Sequence, residues 1–426
     1  MYRQMVKARR TLSLSPAPNF LGRPVAPADV KTALMDLQQQ AAKASATHLG
    51  YPYNLNVAYG DLAPFLNFFL NNLGDAYAGS NYGVNTQSME RDTIDLFVDL
   101  WGGDSTIPEG EPGSTWGAVT SCGTEGNLLG ILYGREFLKA APVVPTLVSS
   151  VESHYSVAKA GRMYQMPYER ISSNHAGEID YEELERTARE IVHERNSGIC
   201  MVVNIGSTVK GAHDRLDLVT EALDNANVPP ERRYLHCDAA LSGLILPVID
   251  EASDYFFGFD LGADSIAVSG HKQLGTPIPC GVICAKHEHM KRWASGTPAE
   301  ADYVNEQDST ISGSRSGFAA LVLWYVMQTK GLRGLEHEAR YCLDTAAQLT
   351  SDMLAANPAS EARRAPFSTT VVFKRPSAAI ESKYQLATTG EIAHVVVTPS
   401  VTADVLAKFV KEYSAELGQL EPVGSG

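Results

Sequence analysis

Lys272 is the residue of this 426-residue sequence whose surroundings suggest chemistry most directly. It follows a short apolar stretch, residues 265–268, in a glycine-bracketed turn that also carries Ser269 and His271. A lysine is rarely buried unless it has a partner or a covalent role, because removing an ammonium from water is costly. Burial also lowers the pKa of a lysine, and the neutral amine can form a Schiff base with an aldehyde. The alternative is an ordinary exposed lysine in a turn.

Other polar residues stand where predicted strands end. Strands are expected at residues 116–121, 146–151, 199–204, 234–237, 265–268 and 280–285, with helices between most of them. Such alternation indicates an α/β fold with a mostly parallel sheet flanked by helices. His154, Thr208, Asp238 and Lys272 each follow a predicted strand. Because ligands bind at the carboxyl ends of strands in open α/β sheets, we expect these four side chains to lie together.

An anion-binding turn is predicted after the first of these strands. The stretch Cys122-Gly-Thr-Glu-Gly-Asn127 joins that strand to a helix. Free backbone N–H groups and the helix dipole at such a junction attract anions. Taken alone, the stretch is equally compatible with a plain strand-to-helix connection.

Together these residues match the requirements of pyridoxal 5′-phosphate. Lys272 supplies the amine, and Asp238 supplies an anion that keeps the pyridine nitrogen protonated, which makes the ring a stronger electron sink. His154 can stack on the ring, although a satisfied surface or core histidine is the alternative for this residue alone. Donors for the phosphate are expected from Gly123, Thr124, Ser269 and His271.

The composition is that of a globular protein large enough for two or three domains. Apolar residues make up 44% of the chain, charged residues 20%, and the net charge is −14. The negative charge argues against nucleic acid and anionic membrane surfaces as partners. The six cysteines lack companions at metal-ligand spacing, so we expect free thiols in a reducing cytoplasm and no metal site. We expect no signal peptide and no membrane span, because no suitable apolar segment is present.

Four regions are expected along the chain. Residues 1–48 form an N-terminal arm and a helix over residues 29–44, with Asp29 as its N-cap. Residues 49–330 form a large cofactor-binding domain. A long helix that opens at Gly331 leads into a small C-terminal domain, residues 331–420, and residues 421–426 form a disordered tail.

Five longer segments share their order and spacing with one protein family. They are Thr120-Ser-Cys-Gly-Thr-Glu-Gly-Asn127, Ser153-His-Tyr-Ser-Val-Ala-Lys159, Asn204-Ile-Gly-Ser-Thr-Val-Lys-Gly211, Leu235-His-Cys-Asp-Ala-Ala-Leu-Ser-Gly243 and Val268-Ser-Gly-His-Lys272. These segments resemble the motifs of group II pyridoxal-phosphate-dependent amino-acid decarboxylases, in the branch of bacterial histidine and plant serine decarboxylases. The resemblance implies a fold type I enzyme, with a mixed, mostly parallel sheet in the large domain and a small C-terminal α/β domain. It also implies a carboxy-lyase that converts an L-amino acid to carbon dioxide and a primary amine.

The resemblance further implies a role for each matching residue. Lys272 would carry the cofactor, with His154 on one face of its ring and Ala240 on the other. Asp238 would pair with the ring nitrogen, and Thr208 would lie near the ring oxygen or the bound carboxylate. The phosphate would be held by the four residues expected above to donate to it.

Two further roles follow from the same resemblance. Tyr303 matches a loop tyrosine that would protonate Cα after carbon dioxide leaves. Family members are homodimers with the active site at the interface, so Ser312 is a candidate to reach the phosphate in the partner subunit. The chain departs from the family pattern at Cys122, where glycine is usual, and at Ser207, where threonine is usual.

The substrate pocket is expected to include Tyr77, Asn81 and Tyr82. The two tyrosines would narrow the pocket, which suits a small polar side chain such as that of serine. Histidine is the close second, because an imidazole stacks well on tyrosine, and a small apolar side chain is also open. The alternative is that both tyrosines are only interface aromatics.

Two other functions are weighed against decarboxylation. An aminotransferase of this fold would clamp the α-carboxylate with an arginine of the small domain. The strand His394-Val-Val-Val-Thr-Pro399 has none, but three arginines nearby in sequence keep this alternative open: Arg363, Arg364 and Arg375. An inactive scaffold of the same fold is the second alternative, and the joint retention of the lysine, aspartate and histidine argues against it.

Overall fold

Seven short strands form the central sheet of the computed structural model, which describes residues 27–77, 80–139, 144–296 and 309–420. The helices and strands are, in chain order, α1 Pro27–Ser45, β1 Asn71–Leu73, α2 Gln87–Leu100, β2 Thr115–Thr120, α3 Gly123–Leu138, β3 Thr146–Ser150, α4 Tyr155–Met163, β4 Tyr168–Ile171, α5 Tyr181–Arg189, β5 Ile199–Asn204, α6 Leu216–Asn225, β6 Arg233–Asp238, β7 Ser265–Ser269, α7 Gly270–Gln273, β8 Gly281–Lys286, α8 His287–Gly296, β9 Ser314–Ser316, α9 Gly317–Ala356, β10 Thr370–Lys374, α10 Ala378–Tyr384, β11 Ala387–Thr389, β12 Ile392–Val396 and α11 Ala403–Leu420.

The central sheet is mixed and mostly parallel. Its strand order is β2-β8-β7-β6-β5-β3-β4. Strand β8 runs antiparallel to both of its neighbours, and the other neighbouring pairs are parallel. Every residue of β3 and β5 is buried, as expected for strands covered by helices on both faces. The predicted α/β class is therefore confirmed.

The ends of three neighbouring parallel strands, β5, β6 and β7, carry residues of the predicted site. Asn204 and Asp238 are paired in register at the ends of β5 and β6. Strand β7 ends at Ser269 and passes directly into α7, which contains Lys272. Because β5, β6 and β7 are parallel neighbours, these residues emerge at one edge of the sheet.

Helix α9 consists of two helical halves that meet at Gly331. It starts at Gly317, where the Ser316 hydroxyl accepts the N–H of Ala319 at 3.1 Å, and its only non-helical residue is Gly331, with φ 59° and ψ 179°. The predicted long helix that opens at Gly331 corresponds to the second half, whereas the first half, residues 317–330, was not predicted. The first half of the helix is buried around most of its circumference, so its apolar residues show no helical period.

The part of the chain from Leu49 onward contains two main hydrophobic cores. One surrounds the central sheet, and the other lies between the second half of α9, the helices α10 and α11, and the antiparallel sheet β10-β12-β11. Gly331 interrupts α9 close to the predicted limit of the large domain. The assignment of residues 49–330 and 331–420 to separate domains stays a prediction.

Residues 49–54, here called the connecting segment, contact the second core at one end and the sheet edge at the other. The N–H of Leu49 donates to the carbonyl of Tyr384 at 3.1 Å. The N–H of Asn54 donates to the carbonyl of Lys272 at 3.0 Å. The connecting segment therefore joins the C-terminal part of the chain to the lysine loop.

Of the described residues, 27–48 form a separate compact unit that contains α1, and the predicted arm over residues 1–26 lies outside the described residues. The helix is slightly longer than the predicted residues 29–44. Asp29 lies in its first turn and not at the N-cap, and a carboxylate there favours the positive end of the helix dipole. Within the described ranges, no helix has the length and hydropathy needed to cross a bilayer.

Candidate active site

A cavity of about 230 Å³ opens at the carboxyl edge of the central sheet. The four side chains that follow predicted strands all line it: His154, Thr208, Asp238 and Lys272. So do the other residues expected around the cofactor ring and phosphate: Gly123, Thr124, Ala240, Ser269 and His271. Residues spread over about 150 positions of sequence are thus brought to one place by the parallel strands.

Lys272 and Asp238 provide the charged groups of the cavity. Burial lowers the pKa of Lys272, and the nearby Asp238 carboxylate opposes this effect. Asp238 is only 6% exposed. Its Oδ2 accepts the Asn127 side-chain amide at 2.7 Å, and its Oδ1 accepts the N–H of Ala240 at 3.2 Å. A lysine with a lowered pKa is a better nucleophile, so the pair suits attack on an aldehyde.

His154 supplies a flat ring whose orientation is fixed by the start of α4. It is the N-cap of that helix, and its Nδ1 accepts the N–H of Ser156 at 3.3 Å. Burial is the main cause that lowers the pKa of His154; Asp238 raises it, and Lys272 and Lys159 lower it further. A neutral imidazole held in this way can stack on an aromatic ligand.

The predicted anion-binding turn lies at the N-terminus of α3. The first N–H groups of a helix lack partners within the helix, so Gly123 and Thr124 can offer theirs to a phosphate. A Cβ on Gly123 would come within 2.4 Å of the Ser269 hydroxyl, so a larger residue would require Ser269 or the turn to shift. Cys122, which stands where the family pattern has glycine, has a φ of −175°, an extended conformation that any residue adopts.

Ser207 and Thr208 form the rim after β5. The Ser207 hydroxyl accepts the N–H of Ala212 at 3.1 Å, so serine keeps the hydroxyl that the usual threonine would provide. Thr208 is exposed and lines both the first cavity and a second cavity of about 450 Å³. The second cavity also shares His154 and Tyr155 with the first, so the two spaces are adjacent.

These groups fit pyridoxal phosphate. The cavity holds an amine of lowered pKa, a buried carboxylate, a flat neutral ring and a helix N-terminus whose first residue, Gly123, lies close to Ser269. The amine can react with the cofactor's aldehyde, and the carboxylate can pair with its pyridine nitrogen. The imidazole ring can stack on its ring face, and the helix N-terminus can bind its phosphate. Within the described part of the chain, no group of three or more His, Cys, Asp and Glu residues is placed to hold a metal ion.

The three substrate candidates do not line the cavity of their own chain. Tyr77 packs against the hydrophobic core, and burial raises the pKa of its hydroxyl. Tyr82 donates its hydroxyl to the carbonyl of Phe69 at 2.8 Å, and Asn81 is exposed. Their assignment to substrate binding stays a prediction.

Ser312 is also absent from the lining of the first cavity. Ser312 donates its hydroxyl to Glu125 at 3.1 Å, in the first turn of α3, so it lies beside the anion-binding turn. Tyr303 lies outside the described residues.

None of the three arginines that favoured an aminotransferase lines the cavity. Arg363 and Arg364 donate to backbone carbonyls, and Arg375 pairs with Glu381. The described residues therefore offer no arginine clamp at this site.

Sequence reasoning assigned no role to several residues that line the cavity: Tyr53, Asn127, Tyr155, Asn204 and Gly206. Four of the five lie inside the motif segments, so a signal for them was present. Tyr53 comes from the connecting segment, and its ring lies 5.8 Å from that of His271. Only the folded chain brings these two rings together.

Comparisons with known proteins agree with this geometry. Residues 87–375 match the model of the pyridoxal-dependent decarboxylase conserved domain. Serine decarboxylase 1 of Oryza sativa subsp. japonica is 43% identical over 366 residues, which cover 86% of this chain and 71% of the relative. A histidine decarboxylase of Pseudomonas entomophila (strain L48) is 38% identical over 352 residues, covering 83% and 82% of the two chains.

The fold comparison gives the same architecture. The structure of L-methionine decarboxylase from Streptomyces sp. 590 superposes with a TM-score of 0.85 at 23% identity, and the match covers 95% of this chain and 99% of the other. The cavity, the family match and the extended similarity to curated relatives agree, and the chain belongs to the pyridoxal-phosphate-dependent amino-acid decarboxylases, which are carbon–carbon lyases.

Proposed function

We propose that this decarboxylase acts on a small polar L-amino acid, with L-serine as the first candidate and L-histidine as the second. The observation that carries the proposal is the similarity to serine decarboxylases, which are 38–43% identical, against 37–38% for the histidine decarboxylases compared. The expected tyrosines of the substrate pocket also suit a short side chain. Carbon dioxide and a primary amine are the products.

Five residues that line the cavity are proposed to hold the cofactor and the substrate. Lys272 binds the cofactor covalently, Asp238 keeps the proton on its ring nitrogen, and His154 and Ala240 lie on the two faces of its ring. When bound, the cofactor would supply an electron sink for the carbanion that remains when the carboxylate leaves Cα as carbon dioxide. Thr208 lies near the ring oxygen or the substrate carboxylate.

The remaining proposed roles concern the phosphate and the proton. Gly123, Thr124, Ser269 and His271 bind the phosphate. Tyr303 returns a proton to Cα of the substrate after carbon dioxide leaves, which directs the reaction to an amine. Tyr303→Phe is therefore expected to lower the rate of amine formation while the affinity for pyridoxal phosphate stays unchanged.

The enzyme is proposed to be a homodimer with the active site at the interface. Exposed apolar side chains support such an interface, since Leu66, Phe68 and Phe69 are exposed by 70%, 60% and 75%. The ring of Tyr82 meets that of Phe69 edge-on, with centroids 6.4 Å apart. The apolar surface thus adjoins a predicted substrate residue. We assign four residues to the site of the partner subunit: Tyr77, Asn81, Tyr82 and Ser312.

Mixed dimers test this assignment. Lys272→Ala and Tyr82→Ala each inactivate the enzyme if both residues serve the reaction. In a dimer of one chain of each kind, a single site contains both native residues when Tyr82 acts on the partner, and activity returns. Mixed dimers without activity, or a monomer in sedimentation, would contradict the interface.

A cytoplasmic location is proposed as well. All six cysteines are free, and five of them are buried. Six cysteines without a disulfide bond are typical of a protein in a reducing compartment.

The substrate is tested by measuring carbon dioxide release from purified holoenzyme across a panel of amino acids that includes serine, histidine and methionine. We expect the highest kcat/KM for serine. Preference for histidine would select the second candidate. Release from none of the amino acids, with cofactor bound, would refute both. Lys272→Ala is the control, and it is expected to lose both the absorbance of the covalently bound cofactor and the gas release.

A further inference from the structure

Asn127 is the centre of a buried hydrogen-bond network that joins two residues of the cavity. It is 1% exposed and lies in the second turn of α3. Its Nδ2 donates to Asp238 at 2.7 Å and to the hydroxyl of Ser156 at 3.0 Å. The Ser156 hydroxyl in turn lies 2.8 Å from Nδ1 of His154. One amide therefore contacts the carboxylate directly and the imidazole through a single hydroxyl.

The orientation of this amide follows from its partners. An ionised carboxylate only accepts hydrogen bonds, so Nδ2 of Asn127 must face Asp238. Oδ1 then faces Nε2 of His236 at 3.0 Å, and this nitrogen must carry a hydrogen. Burial lowers the pKa of His236 to about 4, so the ring is neutral near pH 7. Its Nδ1 is left to accept the hydroxyl of Ser265, 2.8 Å away.

The other end of the network has a defined direction too. A backbone N–H can only donate, so the contact from the N–H of Ser156 makes Nδ1 of His154 an acceptor. The Ser156 hydroxyl accepts from Asn127 and gives its own hydrogen to the same Nδ1. His154 is therefore neutral, with its proton on Nε2. Each donor between Ser265 and His154 thus has an acceptor, and Nδ1 of His154 is shared by the two donors of Ser156.

We propose that Asn127 is a positioning residue that couples Asp238 to His154, so that the group facing the cofactor's ring nitrogen and the group stacked on its ring are held by one amide. The inference rests on the roles proposed for Asp238 and His154 and goes beyond them. It assigns a function to a residue that carries no charge and takes part in no bond change. Loss of the amide is expected to disturb both cofactor contacts together.

The test is the affinity of the apoenzyme for pyridoxal phosphate as a function of pH, followed by the absorbance of the bound cofactor. Asn127→Asp keeps the size of the side chain but places a second carboxyl group against Asp238. At low pH the new group is protonated and can still donate, whereas at higher pH two like charges meet. We expect the ratio of the variant's Kd to the wild-type Kd to rise about tenfold or more between about pH 6 and pH 8.

Two further variants complete the experiment. Ser156→Ala removes the hydroxyl that links Asn127 to His154 but keeps the contact from Asn127 to Asp238, so the Kd should rise about two- to tenfold with no new pH dependence. Asn225→Asp is the matched control, because it makes the same replacement at an exposed position at the end of α6, and its Kd ratio should stay at one.

A folded Asn127→Asp variant whose Kd ratio does not change with pH would overturn the proposal. If that variant does not fold, Asn127→Ala decides: a Kd raised about tenfold or more supports the coupling, and a wild-type Kd overturns it. The measurement needs no substrate. Failure to find an amino acid that is decarboxylated would therefore contradict the proposed function and leave this result intact.

Discussion

The side-chain amide of Asn204 donates to Asp214 at 2.8 Å, and the backbone N–H of Asn204 donates to the same carboxylate oxygen at 2.9 Å. The other oxygen of Asp214 accepts the N–H of Ile179 at 2.9 Å. Asn204 lines the cavity at the end of β5. The buried carboxylate of Asp214 thus connects Asn204, which lines the cavity, to Ile179 in the turn before α5.

This carboxylate predicts a pH dependence of stability. Burial is the main cause that raises the pKa of Asp214 from 3.8 to about 7. The folded protein then binds this proton more tightly than the unfolded chain, so the contribution of Asp214 to the free energy of unfolding falls as the pH rises from about 4 to about 7. Above that range the contribution is constant.

Urea denaturation of the wild type and of Asp214→Asn at several pH values checks this prediction. Other titrating groups are common to both proteins, so they cancel in the difference between the two free energies. We expect the difference, wild type minus variant, to decrease across the stated pH range. A difference that does not vary with pH would show that Asp214 is ionised throughout.

The buried ion pair of Glu90 and Arg315 predicts a large loss of stability. Glu90 is fully buried and also accepts from the Asn72 amide at 2.7 Å and from the N–H of Val119 at 2.8 Å. Arg315→Met leaves the carboxylate buried without its cation, so we expect the free energy of unfolding to fall by about 3–5 kcal/mol. The double variant with Glu90→Gln should recover part of this loss in urea denaturation. A single variant as stable as the wild type would contradict the prediction.

The anion-binding turn predicts that Gly123→Ala weakens cofactor binding. The new methyl group would meet the Ser269 hydroxyl, and relieving such overpacking costs about 1–3 kcal/mol. Titration of the apoenzyme with pyridoxal phosphate should therefore show a Kd raised by about fivefold or more. Gly60→Ala is the control, because no atom lies within 4 Å of its added Cβ. Equal affinities of the two variants would exclude steric control by Gly123.

Replacing Cys122, the residue before Gly123, is predicted to have a small effect on stability. Its backbone is extended and unstrained, so Cys122→Gly gains nothing in the folded state and increases the freedom of the unfolded chain. We expect the free energy of unfolding to fall by about 0.4–1 kcal/mol, with the affinity for pyridoxal phosphate kept. A stabilised variant in thermal or urea unfolding would mean that the cysteine is strained.

The parts of the fold predicted from sequence are those with a strong local pattern. Strands β5 and β7 are apolar runs ended by polar or glycine residues, and the anion-binding turn is contiguous in sequence. Short elements such as β4, with four residues, lack such a pattern. The first half of α9 was missed because a helix buried around most of its circumference has no polar face.

The site was predicted where single residues suffice and missed where pairs are needed. Lys272 and Asp238 stand out because a charge follows an apolar strand. Asn127 gains its meaning only from Asp238, 111 positions away, and from His236, 109 positions away. No local pattern encodes such a pairing, since it depends on how α3 packs on the sheet.

The connecting segment has a mechanical consequence for the lysine. Residues 49–54 are hydrogen-bonded to Tyr384 at one end and to the carbonyl of Lys272 at the other. Six residues span at most roughly 20 Å when fully extended, so the connecting segment limits any rotation of the C-terminal part about Gly331. Such a rotation would be transmitted to the peptide group of Lys272 through the hydrogen bond from Asn54. Movement of the C-terminal part of the chain and the position of the Lys272 peptide group are therefore linked through the main chain.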